Sequence, residues 1–164
     1  MENISSDVII LQETMGVSEV IKPYLESLLP GWSFEAIDVR GRSVGLASGW
    51  KTKVYICDNV WIFDFGIGLK LYYEEVGRYF SIIKIYGYYL NRVQYWDSIL
   101  NRPFIRDHKF NIGGDLNFSV GAAEVWGPRA IPYGFSNYFI QSFERRGLIY
   151  IEPAKLNPTW RNMR

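Results

Sequence analysis

The sequence predicts a mixed α/β domain, and three observations carry that prediction. A continuous apolar run of strand length, Asp7-Val-Ile-Ile-Leu11, lies near the start, the pattern of a strand covered on both faces. The middle third, 32–86, is rich in β-branched and aromatic residues and broken by short polar turns, which reads as a meander of antiparallel strands. Apolar residues recur at helical spacing on either side, first at Val17, Val20, Ile21, Tyr24, Leu25, Leu28 and Leu29, then at Val93, Trp96, Ile99 and Leu100. The order is strand, helix, antiparallel strands, helix, strand, helix, strand. It suits helices packed over sheets rather than a strict βαβ alternation.

Each element has its own local signal. Ser18 suits the N-cap of the first helix. Pro23 either falls near its first turn or removes one helical bond, and Pro30-Gly31 ends it. Trp32 to Val39 and Val44 to Trp50 read as strands around the polar turn Arg40-Gly-Arg-Ser43. Lys51-Thr-Lys53 reads as a hairpin into Val54 to Phe65, followed by Leu69 to Tyr73. Glu74-Glu-Val-Gly-Arg78 turns the chain into Tyr79 to Tyr86. Pro103 ends the second helix, Lys109 to Ile112 is a strand, and Ser119 to Gly134 is a long loop. A last helix runs through Tyr138, Phe139, Ser142 and Phe143, and Leu148 to Ile151 is a short strand.

The totals set bounds. A length of 164 residues suits one domain, 1–164. Hydrophobic residues at 48% against 21% charged make the chain globular rather than disordered. Aromatic residues reach 17%, more than a core of this size can hold with every tyrosine hydroxyl satisfied, so many lie at surfaces or interfaces. The net charge of +1 gives no overall basic field, and a nucleic-acid partner would be held by a local patch. Cys57 is the single cysteine, which excludes an intrachain disulfide and a cysteine-based zinc site. There is no signal-peptide pattern and no apolar run near the roughly 18 residues of a membrane span. The expectation is a soluble intracellular protein with no membrane partner, its nuclear or cytoplasmic placement unresolved.

The chemistry concentrates at Asn111-Ile-Gly-Gly-Asp-Leu-Asn-Phe118. Adjacent glycines let the backbone bend and approach another group closely. Asp115 and Asn117 follow, two apart, so that strand geometry would send both side chains to one side. A carboxylate and an amide held there can touch a hydrated metal, bind a phosphate or fix an attacking water. The alternative is a turn in which Asp and Asn bond their own backbone. Glu13 is the first acidic residue after the opening strand, and Tyr86 to Asn91 leaves another strand as an irregular loop. In layered α/β proteins, sites gather beyond strand C-termini.

The order Leu11-Gln-Glu-Thr14, Arg40-Gly-Arg-Ser-Val-Gly-Leu-Ala47, Tyr86-Gly87 with Asn91-Arg92, Gly113-Gly-Asp-Leu-Asn-Phe118 and Pro158-Thr-Trp-Arg-Asn162 resembles the endonuclease/exonuclease/phosphatase superfamily, the DNase I-like fold. It looks closest to the apurinic-type endonuclease domain of plant LINE-type retrotransposons. The resemblance implies a four-layer α/β sandwich of mixed, largely antiparallel sheets with a Mg²⁺-dependent phosphodiesterase site, Mn²⁺ being the alternative ion. By motif, it implies that Glu13 binds the metal, Asp115 orients or deprotonates the attacking water, and Asn117 bonds the phosphate or the developing charge. It implies that Tyr86 donates to a phosphate oxygen, that Arg40, Arg42 and Asn91 contact nucleic acid, and that Trp160 lies near the nucleic-acid surface. DNA is the implied partner.

Plainer roles stand beside these. Glu13 is then a solvated strand-end residue, Tyr86 a sheet aromatic, Trp160 a packing residue, and Arg40 and Arg42 ordinary turn charges. His108, the only histidine, matches no catalytic position of the superfamily and reads as a surface residue. Against the superfamily pattern, an N-terminal strand ending in asparagine and C-terminal Asp and Ser-Asp-His elements are missing. The expectation is therefore an incomplete fold, weak metal binding, impaired turnover and bared sheet edges that invite self-association. Val44 and Tyr88 are smaller departures, standing where the resemblance leads one to expect Gly and Pro. Three functions stay open: a metal-dependent DNA endonuclease, a non-catalytic nucleic-acid-binding module, and a retroelement remnant without activity.

Overall fold

The computed structural model describes residues 6–38, 45–88, 90–106, 109–118 and 134–151. The chain divides into two compact units, Met1–Leu116 and Asn117–Arg164.

In the first unit, β1 (Val8–Gln12), β2 (Trp32–Ile37) and β3 (Leu46–Lys51) form one antiparallel sheet, with β3 in the middle. Helix α1 (Ser18–Leu28) joins β1 to β2 and lies against β2. The second sheet contains β4 (Tyr55–Phe63), β5 (Gly66–Tyr73), β6 (Arg78–Ile85) and β7 (Phe110–Gly113), in that spatial order. The pairs β4–β5 and β5–β6 are antiparallel hairpins, whereas β7 joins β6 in parallel after helices α2 (Arg92–Leu100) and α3 (Pro103–Arg106). A parallel neighbour needs such a crossover, because no tight turn can reverse the chain twice.

The registers show which faces meet. Val8, Ile10 and Gln12 of β1 stand opposite Trp50, Ser48 and Leu46 of β3, and these in turn face Ser33, Glu35 and Ile37 of β2. In the second sheet, Ile67, Leu69 and Leu71 pair with Lys84, Ile82 and Phe80. Leu46, Trp50, Ile67, Leu69 and Leu71 form one buried cluster, flanked by Val8, Ile37, Phe80 and Ile82. The two sheets therefore bury these faces against each other, as period-two alternation requires. The opposite face of the second sheet carries Trp61 and Phe63, on which Phe104 of α3 packs at ring-centroid distances of 4.9 and 5.7 Å. The first unit thus stacks helix, sheet, sheet and helices.

Several local readings need correction. Val17, not Ser18, is the N-cap of α1, and it makes no side-chain cap bond. The Ser18 N–H instead donates to Asp38 Oδ1 at 2.6 Å, so a carboxylate beyond β2 does the capping from a distance in sequence. Pro23 lies inside α1. Lys51-Thr-Lys53 is not a hairpin: β3 and β4 belong to different sheets, and the chain crosses between layers there. Pro103 begins α3, where its fixed φ and missing N–H cost nothing at a first helical position. Leu148 to Ile151 forms no strand.

In the second unit, the described residues are Asn117, Phe118 and 134–151, with α4 (Ser136–Glu144) as its helix. Phe118 stacks on Phe139 at 3.8 Å with planes 9° apart, and Phe139 is fully buried.

Leu69 lies at the centre of the inter-sheet cluster with no exposed surface. Leu69→Ala is expected to lower unfolding free energy by about 2–5 kcal/mol, the range for a leucine truncated in a tight core. Urea unfolding followed by tryptophan fluorescence checks it. A loss under about 1 kcal/mol would mean that the two sheets do not close on this residue.

Candidate active site at the strand ends

Three strand ends meet at one rim of the first unit: β1 at Gln12, β6 beyond Ile85, and β7 at the Gly113-Gly-Asp115 turn. Alternation along β1 sends Gln12, not Glu13, toward the second sheet. Its side-chain oxygen accepts a hydrogen bond from Lys84 Nζ at 2.5 Å and another from the Asp115 N–H at 3.1 Å. The first bond spans 72 positions and the second 103, so one amide oxygen ties both sheets together at the rim. The Asp115 carbonyl in turn accepts the Gly87 N–H at 2.7 Å, fastening the Tyr86-Gly87 loop to the same turn.

The glycines make these approaches possible. Gly114 has φ +130°, and a Cβ there would fall 2.1 Å from the Ile85 carbonyl oxygen and 2.7 Å from Lys84 Nζ. A Cβ on Gly87 would fall 1.9 Å from the Leu116 carbonyl oxygen. No side chain fits at either position, so Gly114, directly before Asp115, serves close approach as well as turning.

Lys84 is the residue that sequence reasoning missed. It pairs with Ile67 and Gly113 on the inter-sheet face of β6 and is 1% exposed. Burial pushes its ammonium down from 10.5 to about 8, while the negative charge of Asp115 pulls it back up. The signal was available: Ile82-Ile-Lys-Ile85 places a lysine inside an apolar run of strand length, and a charge buried in that setting needs partners.

No protein-family model and no curated protein matches the sequence. Solved structures do. The humanized D. rerio TDP2 matches with TM-score 0.54 and 14% identity, over 69% of this chain and 50% of that one. An endonuclease/exonuclease/phosphatase family protein from Bacteroides thetaiotaomicron matches with TM-score 0.50 and 12% identity, over 82% of this chain and 54% of that one. ANGEL2, a 2',3'-cyclic phosphatase, in complex with adenosine-2',3'-vanadate, matches with TM-score 0.50 and 19% identity, over 72% of this chain and 42% of that one.

The fold is DNase I-like.

At these identities the likeness concerns the fold alone, and the chain spans about half the length of the structures it matches. The endonuclease/exonuclease/phosphatase expectation therefore stands at the level of the fold, and these structures do not bear on the resemblance to plant LINE-type elements.

Within this DNase I-like frame the expected site residues are placed as follows. Glu13 directly follows β1, exposed, with a left-handed backbone at φ 60°. The next residue, Thr14, is fastened by its N–H to the Gly45 carbonyl at 3.1 Å. Asp115 is exposed and fixed through both its N–H and its carbonyl. Tyr86 packs partly against the inter-sheet cluster. Its carbonyl accepts the hydroxyl of Tyr95 at 3.0 Å, a hydroxyl whose pKa burial raises further. Asn91 is the N-cap of α2 at φ 48°, without a side-chain cap bond. Asn117 opens the second unit at φ 54°. Arg40, Arg42, Trp160 and His108 lie outside the described residues.

A hard cation such as Mg²⁺ takes oxygen ligands and keeps several waters, so one or two carboxylates suffice to hold it. The exposed carboxylate of Glu13 fits that chemistry. Among the described residues, no group of three or more His, Cys, Asp or Glu side chains gathers to cage an ion. The residues therefore fit a largely hydrated cation and not a closed metal centre.

Lys84 sets a pH dependence whose sign can be worked out. Between about pH 8 and 10.5 the unfolded chain holds a proton on this lysine that the folded chain has lost. Stability credited to position 84 therefore rises with pH across that window, and below it the full burial penalty applies. Relative to Lys84→Met, the wild type is expected to gain at most about 3 kcal/mol between pH 7 and pH 10.5. Urea midpoints of both proteins across that range check it, and a constant difference would contradict it.

Proposed function

We propose that the rim formed by Glu13, Tyr86-Gly87 and Asp115 is a phosphodiesterase site acting on DNA, with Glu13 binding a hydrated Mg²⁺. The observation that supports this most is the pair of bonds made by the Asp115 backbone, to Gln12 and to Gly87, which brings three separate strand ends to one place. Two exposed carboxylates then flank a rim stiffened from beneath, where a phosphate ester can approach from solvent.

In this reading the metal, when bound, supplies positive charge to a phosphate oxygen. Asp115 orients a water for in-line attack and accepts its proton. It suits that task because its backbone is held through both its N–H and its carbonyl at an exposed position. Tyr86 and Asn117 would donate to phosphate oxygens, and Arg40, Arg42, Asn91 and Trp160 would contact the strand.

The test is Mg²⁺-dependent nicking of supercoiled plasmid and of duplex DNA carrying an abasic site. The wild type should nick above a buffer blank. Asp115→Asn should lower the rate by about 10²- to 10⁴-fold, the usual range for losing a proton-handling group. Glu13→Gln should raise the Mg²⁺ needed for half-maximal rate. Absence of nicking by the wild type would sink the catalytic reading. Salt-dependent DNA binding without nicking would then favour the non-catalytic module.

A further inference from the structure

We propose that the side-chain amide of Gln12 is an anion-binding donor at this rim, aimed at a phosphate oxygen, and that Lys84 is the positioning residue that fixes its orientation. The inference rests on the phosphodiester reading for its substrate class.

An amide can flip, and what surrounds it decides which end faces which way. Around Gln12 the answer is forced. Its two neighbours are an ammonium and a backbone N–H, both donors, at 2.5 and 3.1 Å from Oε1. A flip would set the amide N–H groups against them, so the oxygen faces inward and Nε2 is left over with two donors. Among the described residues Nε2 makes no hydrogen bond, although Gln12 itself is exposed. Two unspent donors therefore remain on an exposed side chain that is bonded to the Asp115 turn. A phosphate oxygen is the ligand that such donors suit, since charge-assisted bonds are the stronger kind.

Lys84 polarises this arrangement. Its ammonium is almost wholly buried, and its hydrogen bond to Gln12 is the one it makes among the described residues. An ammonium bonded to the amide oxygen draws electron density from the nitrogen end and strengthens the remaining N–H donors, as chains of hydrogen bonds do. The lysine never reaches the phosphate. It acts on it through glutamine.

The full chain is titrated, without Mg²⁺, with inorganic phosphate and with a short single-stranded oligodeoxynucleotide. Folding of each variant is checked by urea midpoint. The wild type should bind both probes. Gln12→Glu keeps an inward oxygen for Lys84 and for the Asp115 N–H but removes the outward donors, and Gln12→Met removes them without adding charge. Both should weaken binding by about 10- to 100-fold, the worth of a hydrogen bond to a charged partner. Lys84→Met leaves the donors but frees the amide, and it should weaken binding by a smaller factor. In nicking assays it should raise KM while leaving kcat near wild type.

Wild-type affinity in both folded Gln12 variants overturns the inference, and so does a wild type that binds neither probe. Gln12-dependent binding of either probe upholds it, and the stronger of the two shows whether free phosphate or the diester is preferred. Gln12-dependent binding without nicking upholds this inference and sinks the catalytic reading. Nicking with an unchanged KM in Gln12→Met does the reverse.

Discussion

A lysine ammonium buried between two β-sheets has to be held by something, and here the holder is one glutamine side chain. Lys84 stands on the inner face of β6, where its strand neighbours Ile82 and Phe80 turn apolar groups toward the other sheet. Removing such a charge from water is costly unless oxygen atoms replace the hydration. Gln12 Oε1 supplies the dipole and Asp115 the opposing charge. That requirement fixes the end of β1 against the ends of β6 and β7. The rim is thus positioned from within, by an electrostatic constraint, more than by the loops that form its surface.

Much of this was legible in the chain. The apolar run Asp7 to Leu11, the aromatic strands of the middle third and the helical spacing at Val17 to Leu29 gave the layers, because burial pattern follows element period. Gly113-Gly-Asp115 announced a close approach, and the structure shows that neither Gly87 nor Gly114 has room for a side chain. What could not be read was partnership across long separations. Asp38 caps α1 from beyond β2, and no local rule points to it. The change of sheet at Lys51 to Tyr55 looks like a hairpin in sequence, since polar turns serve both purposes. Gln12 carries no charge to mark it beside the Glu13 carboxylate, although alternation along β1 selects Gln12 as the residue facing the second sheet.

Two of the positive-φ residues follow β1 directly. Glu13 and Met15 both adopt left-handed backbone without being glycine. Glutamate and methionine pay for that conformation, which side chains with a Cβ seldom adopt. Such strain persists where surrounding bonds over-determine the backbone, and Thr14, held to Gly45, is one such anchor. The segment that carries the candidate metal ligand is therefore bent by its neighbours rather than by its own preference.

The bonds of Gln12 to positions 72 and 103 residues away carry a kinetic meaning. Hairpins such as β4–β5 and β5–β6 close short loops and can assemble early, whereas the Gln12 side chain must wait for β6 and the Asp115 turn before its partners exist. The rim is then among the last parts to become ordered as the chain folds. Until that contact forms, Lys84 lacks the one amide oxygen that holds it in the folded chain.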